Sequence, residues 1–287
     1  MQNTIKGINT AVIKYENRFL ALLIKTQQSD GRYQHYYLQV PELTSLLMIL
    51  RNRMAIVAKR LIFEGEIYGK NLRAYSEALV SHTPKIETEE LQQPNPERRV
   101  MSLMLKPGES ISTLIATLQN DMIALLYIDD MLAGPLIVAI QQALIHGGET
   151  ELIQYCASTV NHLMLYTSSL SNSAPMNYQQ YPQDDWKQRL FTHHLAILFC
   201  FSTAEGEKIL SGAIIRTSAE HPSEEENNIV MHTLEKYPML QATRDDKRAC
   251  QIFSRVISPQ PEKILTREEC LRSLHAFYLD TQASLNA

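Results

Sequence analysis

The sequence predicts an α+β fold in which β-hairpins are backed by helices. Short runs rich in Val, Ile and aromatic residues are bounded by turn residues such as Asp30-Gly31, which is typical of strands and hairpins. Apolar residues also recur at helical spacing, most clearly from Leu43 to Leu61. Polar stretches separate these groups of elements. Together, the three observations indicate hairpins and helices that alternate along the chain.

The elements fall into three hairpin–helix units joined by two linkers. The units comprise residues 1–82, 98–167 and 186–287, and the linkers comprise residues 83–97 and 168–185. One hairpin with one helix buries too little apolar surface to be stable alone. We therefore expect the units to pack together or against a second copy of the chain.

In the first unit, the predicted strands are NTAVIKY, RFLALLIKT and YQHYYLQV. Pro41 follows, and proline favours the first turn of a helix because its missing N–H would have no partner there. The apolar stripe then predicts a helix that continues to about His82. Gly65 and Gly69 predict a bend within it.

The second unit repeats this order with the strands VMSLMLK, ISTLIATLQ and MIALLYI. A helix over LIVAIQQALIH should end at Gly147-Gly148, because glycine adopts the left-handed conformation that terminates helices. Apolar residues at spacings of three and four then predict a second helix, from Glu149 to Tyr166.

The third unit contains the strands HHLAILFCFS, KILSGAIIRTS and CQIFSRVIS. Two capping boxes predict helix starts, one formed by Ser223 with Glu226 and one by Thr266 with Glu269. Pro238 should stop the first of these helices. His193 and His194 open a strand, so their rings should point to opposite faces, with one in the core.

The stretch LLYIDDML, residues 125–132, resembles the catalytic turn of reverse transcriptases. In those enzymes the aspartates hold two divalent ions, and a further aspartate comes from an upstream strand. Before residue 120 the only aspartate is Asp30, which lies in a turn. A helix also begins at the pair. We therefore predict that Asp129 or Asp130 accepts hydrogen bonds from the first N–H groups of that helix.

Composition and motifs exclude several common functions. The formal net charge of −4 opposes general attraction to nucleic acid. The sequence contains no Walker motif and no GxGxxG, HExxH or GxSxG motif. We therefore expect no cofactor, no metal and no catalytic residue of a recognised type. Four widely spaced cysteines without a CxxC pair indicate free, buried thiols. With no long apolar segment, these features predict a cytoplasmic protein that does not span a membrane.

Five residues are candidates for an interaction surface. The predicted helix of residues 43–63 carries four basic residues and no acidic one, which could form a nucleic-acid or phosphate surface. Those basic residues point in several directions around the helix. A lone tryptophan could anchor a partner, or pack over the start of the third unit. The five candidates are Arg51, Arg53, Lys59, Arg60 and Trp186.

Stretches near both ends and in the third unit carry a family resemblance. They are KGINTAVIKYENRFLALLIK, WKQRLFTHHLAILFCF with SGAIIRT, and LTREECLRSLH. Over nearly its whole length the chain resembles the uncharacterised YjeJ-type proteins of enterobacteria. The matching stretches are strands and a capped helix, so the resemblance implies a bacterial cytosolic protein and supplies no catalytic or ligand-binding residue.

We expect a non-enzymatic protein that acts through protein–protein contacts, as a regulator or inhibitor of a partner, and that self-associates or binds that partner. One alternative is a nucleic-acid-binding regulator that uses the helix around Arg51–Arg60. Another is an enzyme of unrecognised type, whose polar groups converge only in three dimensions.

Overall fold

The protein is a mixed α+β structure with three antiparallel sheets, as the sequence predicts. It divides into two compact units, Met1–Val160 and Asn161–Ala287. The boundary between these two units falls inside residues 98–167, the second predicted hairpin–helix unit. The computed structural model describes residues 4–108, 111–170, 176–203, 206–218, 229–230, 233, 235–244, 249–257 and 263–285.

Six strands of the first unit form two sheets, with the orders β1-β2-β3 and β4-β5-β6. Their bounds are β1 Ile5–Tyr15, β2 Arg18–Gln28, β3 Tyr33–Leu38, β4 Val100–Lys106, β5 Ile111–Leu118 and β6 Ile123–Asp129. Between β1 and β2, Glu16 and Asn17 have φ values of 48° and 62°. Two consecutive positive φ values are what a tight type I′ hairpin turn requires, so this turn sets the register of the hairpin.

The two sheets of the first unit meet at both edges. Parallel bridges join Thr4 to Tyr127 and Tyr37 to Arg99. Apolar side chains from both sheets surround a small cavity of about 30 Å³. Strands β1 to β6 therefore share one core, and the first two predicted hairpin–helix units contribute three strands each to it.

Helix α1 (Val40–Ser81) has the predicted Pro41 in its first turn and is broken at Gly65. The glycine has φ 64° and ψ −141°, a backbone conformation that side chains with a Cβ rarely adopt. The predicted bend is therefore confirmed at Gly65, whereas Gly69 lies within regular helix. Residues 40–64 bury nine side chains, but residues 66–81, the helical arm, bury only Tyr68 and Leu79.

The helical arm ends against β1. A Cβ on Gly7 would lie 1.8 Å from the carbonyl oxygen of His82, so only glycine permits this approach. The range 83–97, predicted as a linker, carries the short helix α2 (Thr88–Gln92). Within α2, the Glu90 carboxylate accepts a 2.8 Å hydrogen bond from Lys25 Nζ, which ties this segment to the first sheet.

Helix α3 (Ala133–His146) ends at the predicted pair of glycines, where Gly148 has φ 71°. Helix α4 (Thr150–Thr159) is shorter than predicted. The prediction of one helix as far as Tyr166 is wrong, because residues 162–166 belong to a strand of the second unit. This strand is buried on both faces, and a continuous apolar run does not distinguish a buried strand from a helix.

The second unit is built on a five-stranded antiparallel sheet with the order β11-β9-β10-β7-β8. The strands are β7 His162–Ser169, β8 Asn177–Gln180, β9 His193–Thr203, β10 Gly206–Thr217 and β11 Ala249–Val256. Strand β8 lies in the range 168–185, which was predicted as a linker. The helices whose bounds lie within the described residues are α5 Asp185–Gln188, α6 Pro238–Arg244 and α7 Arg267–Leu285.

Alternate residues of β9 point into two apolar clusters on opposite faces of this sheet. Ile197, Phe199 and Phe201 pack with Val230 and Leu240 on one face. Ala196, Leu198 and Cys200 pack with residues of α7, including Leu274 and Phe277, on the other. Helices therefore cover both faces of this interior strand, which explains why the sequence of β9 is an unbroken apolar run.

The second predicted capping box forms at the start of α7. At the start of α7, Thr266 Oγ1 accepts a 3.3 Å hydrogen bond from the Glu269 N–H, and Glu269 Oε2 accepts one of 2.8 Å from the Thr266 N–H. This box is confirmed. The box of Ser223 and Glu226 lies outside the described residues. Pro238 follows the end of the preceding helical residues, as predicted. It also begins α6, because proline suits the first turn of a helix.

The cysteines Cys156, Cys200 and Cys270 are buried free thiols, as predicted, and the side chain of Cys250 lies outside the described part of the chain. Among the helices of the described residues, none combines the length and apolar character needed to cross a membrane.

Candidate functional site

The four basic residues of α1 do not form one surface. Arg53 is only 6% exposed, so its assignment to an interaction surface is wrong. Arg60 is half-buried, and its Nε donates a 2.7 Å hydrogen bond to Glu64 one turn away. Arg51 is half-buried, whereas Lys59 is exposed. The fifth candidate, Trp186, lies half-buried in α5 of the second unit, with Lys187 Nζ 5.5 Å from its ring centroid.

Arg53 forms a buried ion pair with Asp130. Arg53 Nη1 lies 3.5 Å from Asp130 Oδ1, and the aspartate is only 1% exposed. This contact is long for a charge-assisted hydrogen bond, which is normally below 3 Å. Burial raises the pKa of the Asp130 carboxyl, and the nearby Arg53 opposes that rise. The pair links α1 to the turn that follows β6.

The two aspartates of the YIDD stretch have different roles. Asp129 Oδ1 accepts a 2.8 Å hydrogen bond from the Met131 N–H at the start of a 3₁₀ turn that leads into α3. The predicted capping role is therefore confirmed for Asp129, whereas Asp130 faces Arg53. Within the described residues, no group of three or more histidine, cysteine or acidic side chains could hold a metal ion.

Two tyrosines of the helical arm lie near this ion pair. The guanidinium of Arg60 stacks over the Tyr68 ring at 4.4 Å from its centroid, and the Tyr68 hydroxyl is buried without a hydrogen-bond partner in the described part of the chain. Burial raises the pKa of Tyr75 far above its ordinary value, and the charge of Asp129 adds to that rise. Both phenol groups of the arm therefore lie close to the turn that carries Asp129 and Asp130.

A cleft of about 770 Å³ lies beside Asp130, between the helical arm, the first half of α1, β1 and α3. This is the size of pocket that accommodates small-molecule ligands. Its walls are mainly aliphatic, and most of its polar side chains bond to backbone carbonyls. Thr10 Oγ1 donates to Ala139 O at 2.8 Å, and Ser76 Oγ donates to Leu72 O at 2.9 Å.

The sheet of β4, β5 and β6 has one face in the core and one face exposed to solvent. We call the second the open face. Opposite pairs such as Met104 with Ile115, and Ile115 with Leu125, place its side chains in rows. Leu125 is 48% exposed and Ile123 is 65% exposed. The open face comprises Ser102, Met104, Lys106, Thr113, Ile115, Thr117, Ile123, Leu125 and Tyr127.

In the second unit, the largest buried polar side chain is that of Arg216 in strand β10, which is 1% exposed. Its Nη2 donates to Phe191 O at 3.0 Å, and its Nη1 donates to Lys263 O at 2.9 Å. The same Nη1 lies 3.4 Å from His194 Nε2. Burial, with the charge of Arg216, lowers the pKa of His194 to about 4. His194 is thus the core histidine that the strand pattern predicts, and it is held neutral.

Comparison with known proteins gives a match over nearly the whole chain, beyond the stretches that carry the family resemblance. The profile of a family described as YjeJ-like matches residues 1–284. A relative from Escherichia coli (strain K12), named "Uncharacterized protein YjeJ", is 29% identical over 277 residues, which cover 96% of this chain and 95% of that protein. No solved structure matches the chain. Because the family profile covers nearly every residue of both units, the chain belongs to the YjeJ-like family.

Proposed function

We propose that the protein acts without catalysing a reaction, as a regulator or inhibitor that binds another protein through the open face. The observation that carries the proposal is the composition of that face. Five of its nine residues are methionine, isoleucine, leucine or tyrosine, and Lys106 is the one charged residue among the nine, at the end where the next pair on this side is Ile111 with Asp129. Protein interfaces are depleted of charge at their centre and enriched in aromatic residues and methionine.

The shape of the open face also suits a protein partner. Three strands hold its side chains on a rigid sheet, so little order has to be gained on binding. Met104 is unbranched and can adapt to the partner's surface. Soluble proteins rarely expose a large contiguous apolar surface, and where they do, it is usually an interaction site. The partner that fits is a protein with an apolar, uncharged patch, and a second copy of this chain is one such partner.

The basic helix gives less support to a nucleic-acid partner. Arg53 is buried against Asp130, and Arg60 is engaged by Glu64. The remaining basic candidates, Arg51 and Lys59, are too few to supply the many phosphate contacts of a nucleic-acid-binding protein. The buried free thiols suit a reducing compartment, so we propose that the protein contact is made in the cytoplasm.

Replacing Leu125 with arginine tests this proposal. We expect the charged side chain to weaken partner binding by about tenfold or more, because it introduces an unpaired charge at the centre of an apolar contact. The measurement is capture of a partner from nuclease-treated bacterial lysate, followed by titration of the identified partner. If the partner is a second copy, light scattering should show a mass above 32.8 kDa for the wild type and 32.8 kDa for the variant.

Leu20→Arg is the matched control, because Leu20 also lies on a strand and is 41% exposed, but outside the open face. This variant should bind as the wild type does. The proposal is wrong if both arginine variants bind equally well, or if the captured material is lost when nucleic acid is removed.

A further inference from the structure

We propose that the cleft beside Asp130 binds a small molecule with an apolar body and one positively charged nitrogen, and that Asp130 receives the charged nitrogen. This function is separate from the protein contact proposed above, because the cleft residues lie outside the open face. It rests on the volume of the cleft, on its charge and on the hydrogen bonding of its lining.

The walls of the cleft define the body of the ligand. Met54 and Val57 come from the first half of α1, Leu72 from the helical arm, and Pro135 and Val138 from α3. Aliphatic side chains of this kind recognise an apolar body by removing its surface from water. A volume of about 770 Å³ accommodates a ligand of drug size.

The charge of the cleft defines the ligand's polar group. Among the described residues that line it there is no lysine, arginine or glutamate, and Asp130 is the one residue with a carboxylate. The preceding residue, Asp129, brings a second carboxylate to the same turn. Arg53 pairs with Asp130, and Arg60 acts on it at longer range while bonding to Glu64, so three carboxylates face two guanidinium groups here. This end of the cleft therefore carries excess negative charge.

Asp130 also keeps hydrogen-bonding capacity for a ligand. An ionised carboxylate can accept about four hydrogen bonds. In the described structure it accepts one, from Arg53 Nη1 at 3.5 Å. Other polar groups of the lining are already engaged, including Asn9 Nδ2, which donates to Pro84 O at 2.8 Å. Asp130 is only 1% exposed, so a protonated amine with two or three N–H donors would complete its unfilled positions once the neighbouring wall of the cleft shifts.

The helical arm provides a wall that can adjust to the ligand. It is attached through Gly65, whose conformation is not helical, and it buries only Tyr68 and Leu79. Weakly buried segments open at low free-energy cost compared with the core. The ligand can therefore enter beside the arm without disrupting the packing of the two sheets.

The test compares three probes that share an eight-carbon chain and differ in their polar group: n-octylamine, octanoate and 1-octanol. At pH 7.5 the amine is a cation, because alkylamines have a pKa of roughly 10. Calorimetry or ligand-observed NMR gives the Kd of each for the full chain. We expect octylamine to bind about tenfold or more tightly than either other probe, since hydrogen bonds to charged groups are the stronger ones.

Val138→Trp is designed to block the cleft from α3. Val138 and Ile145 are both about half exposed on the same helix, but only Val138 lines the cleft, so Ile145→Trp is the matched control. Octylamine binding should be lost in the first variant and retained in the second. Asp130→Asn should remove the preference for octylamine over 1-octanol where that variant folds.

Three outcomes would overturn the proposal. The first is that none of the probes binds at millimolar concentration. The second is that octanoate binds as tightly as octylamine, which would mean that Asp130 does not select the ligand. The third is that octylamine binds Val138→Trp as well as it binds Ile145→Trp, which would place the binding elsewhere on the molecule.

Discussion

Replacing Arg53 with methionine is expected to destabilise the first unit by about 3–5 kcal/mol, because the variant leaves the Asp130 carboxylate buried without its charged partner. Methionine fills much of the same volume, so the loss should come from the charge and not from a cavity. Urea unfolding followed by circular dichroism measures the change in the free energy of unfolding.

Arg60→Met is the control for that experiment. Arg60 belongs to the same helix but forms a partly exposed ion pair with Glu64, which typically contributes about 0–1 kcal/mol. The double variant Arg53→Met/Asp130→Leu should recover most of the stability lost in Arg53→Met, since it removes both charges from the interior. Equal stability of the Arg53 and Arg60 variants would contradict the assignment of a buried pair.

Acidification is expected to destabilise the second unit through His194. The pKa of this buried histidine is about 4 in the folded protein, compared with an ordinary value of 6.5. Below pH 6.5 the unfolded chain therefore binds a proton that the folded protein does not, so the stability contribution of neutral His194 is lost as the pH falls towards 4. The loss over this window should reach about 3 kcal/mol, at ~1.4 kcal/mol for each pH unit.

Two measurements check this expectation. The free energy of unfolding of wild type and His194→Gln, measured from pH 7 to pH 4, should converge as the pH falls. NMR of the histidine rings should show His194 neutral at pH 5, where exposed histidines are protonated. Parallel pH profiles for the two proteins, or protonation of His194 near pH 6.5, would contradict the account of a buried neutral ring beside Arg216.

Local sequence signals were sufficient for most of the fold. Alternating and β-branched runs predicted the strands from β1 to β6, because turn residues such as Asp30-Gly31 mark where each strand ends. Gly65 predicted the break in α1, and the reciprocal pair Thr266 and Glu269 predicted the start of α7. Each of these features depends on residues close together in the sequence, which is why one sequence contains enough information to predict them.

Features that depend on distant residues were predicted less well. Residues 162–166 were predicted as helix, because their burial by β10 and neighbouring elements cannot be read from an apolar run. Arg53 was predicted to lie on the surface, although it follows Leu46 and Leu50 and precedes Val57 at spacings of four, three and four. That spacing places it within the buried stripe, and the partner that permits its burial lies 77 residues away.

The open face was also missed, although the sequence contains a signal for it. In MIALLYI every residue is apolar, whereas a strand with one solvated face normally alternates between apolar and polar residues. A run of this kind predicts burial on both faces. The structure leaves Ile123 and Leu125 exposed, and that mismatch between the sequence pattern and the observed burial is the basis of the proposed protein contact.

Site-specific photo-crosslinking in living bacteria tests the central claim most directly. A photoreactive amino acid is placed at residue 125 on the open face and, in a second strain, at residue 20 as a control of similar exposure. We expect irradiation to give one discrete protein adduct from residue 125 and none from residue 20. No adduct from residue 125, or the same adduct from both positions, would contradict the assignment of the open face as the surface through which the protein acts.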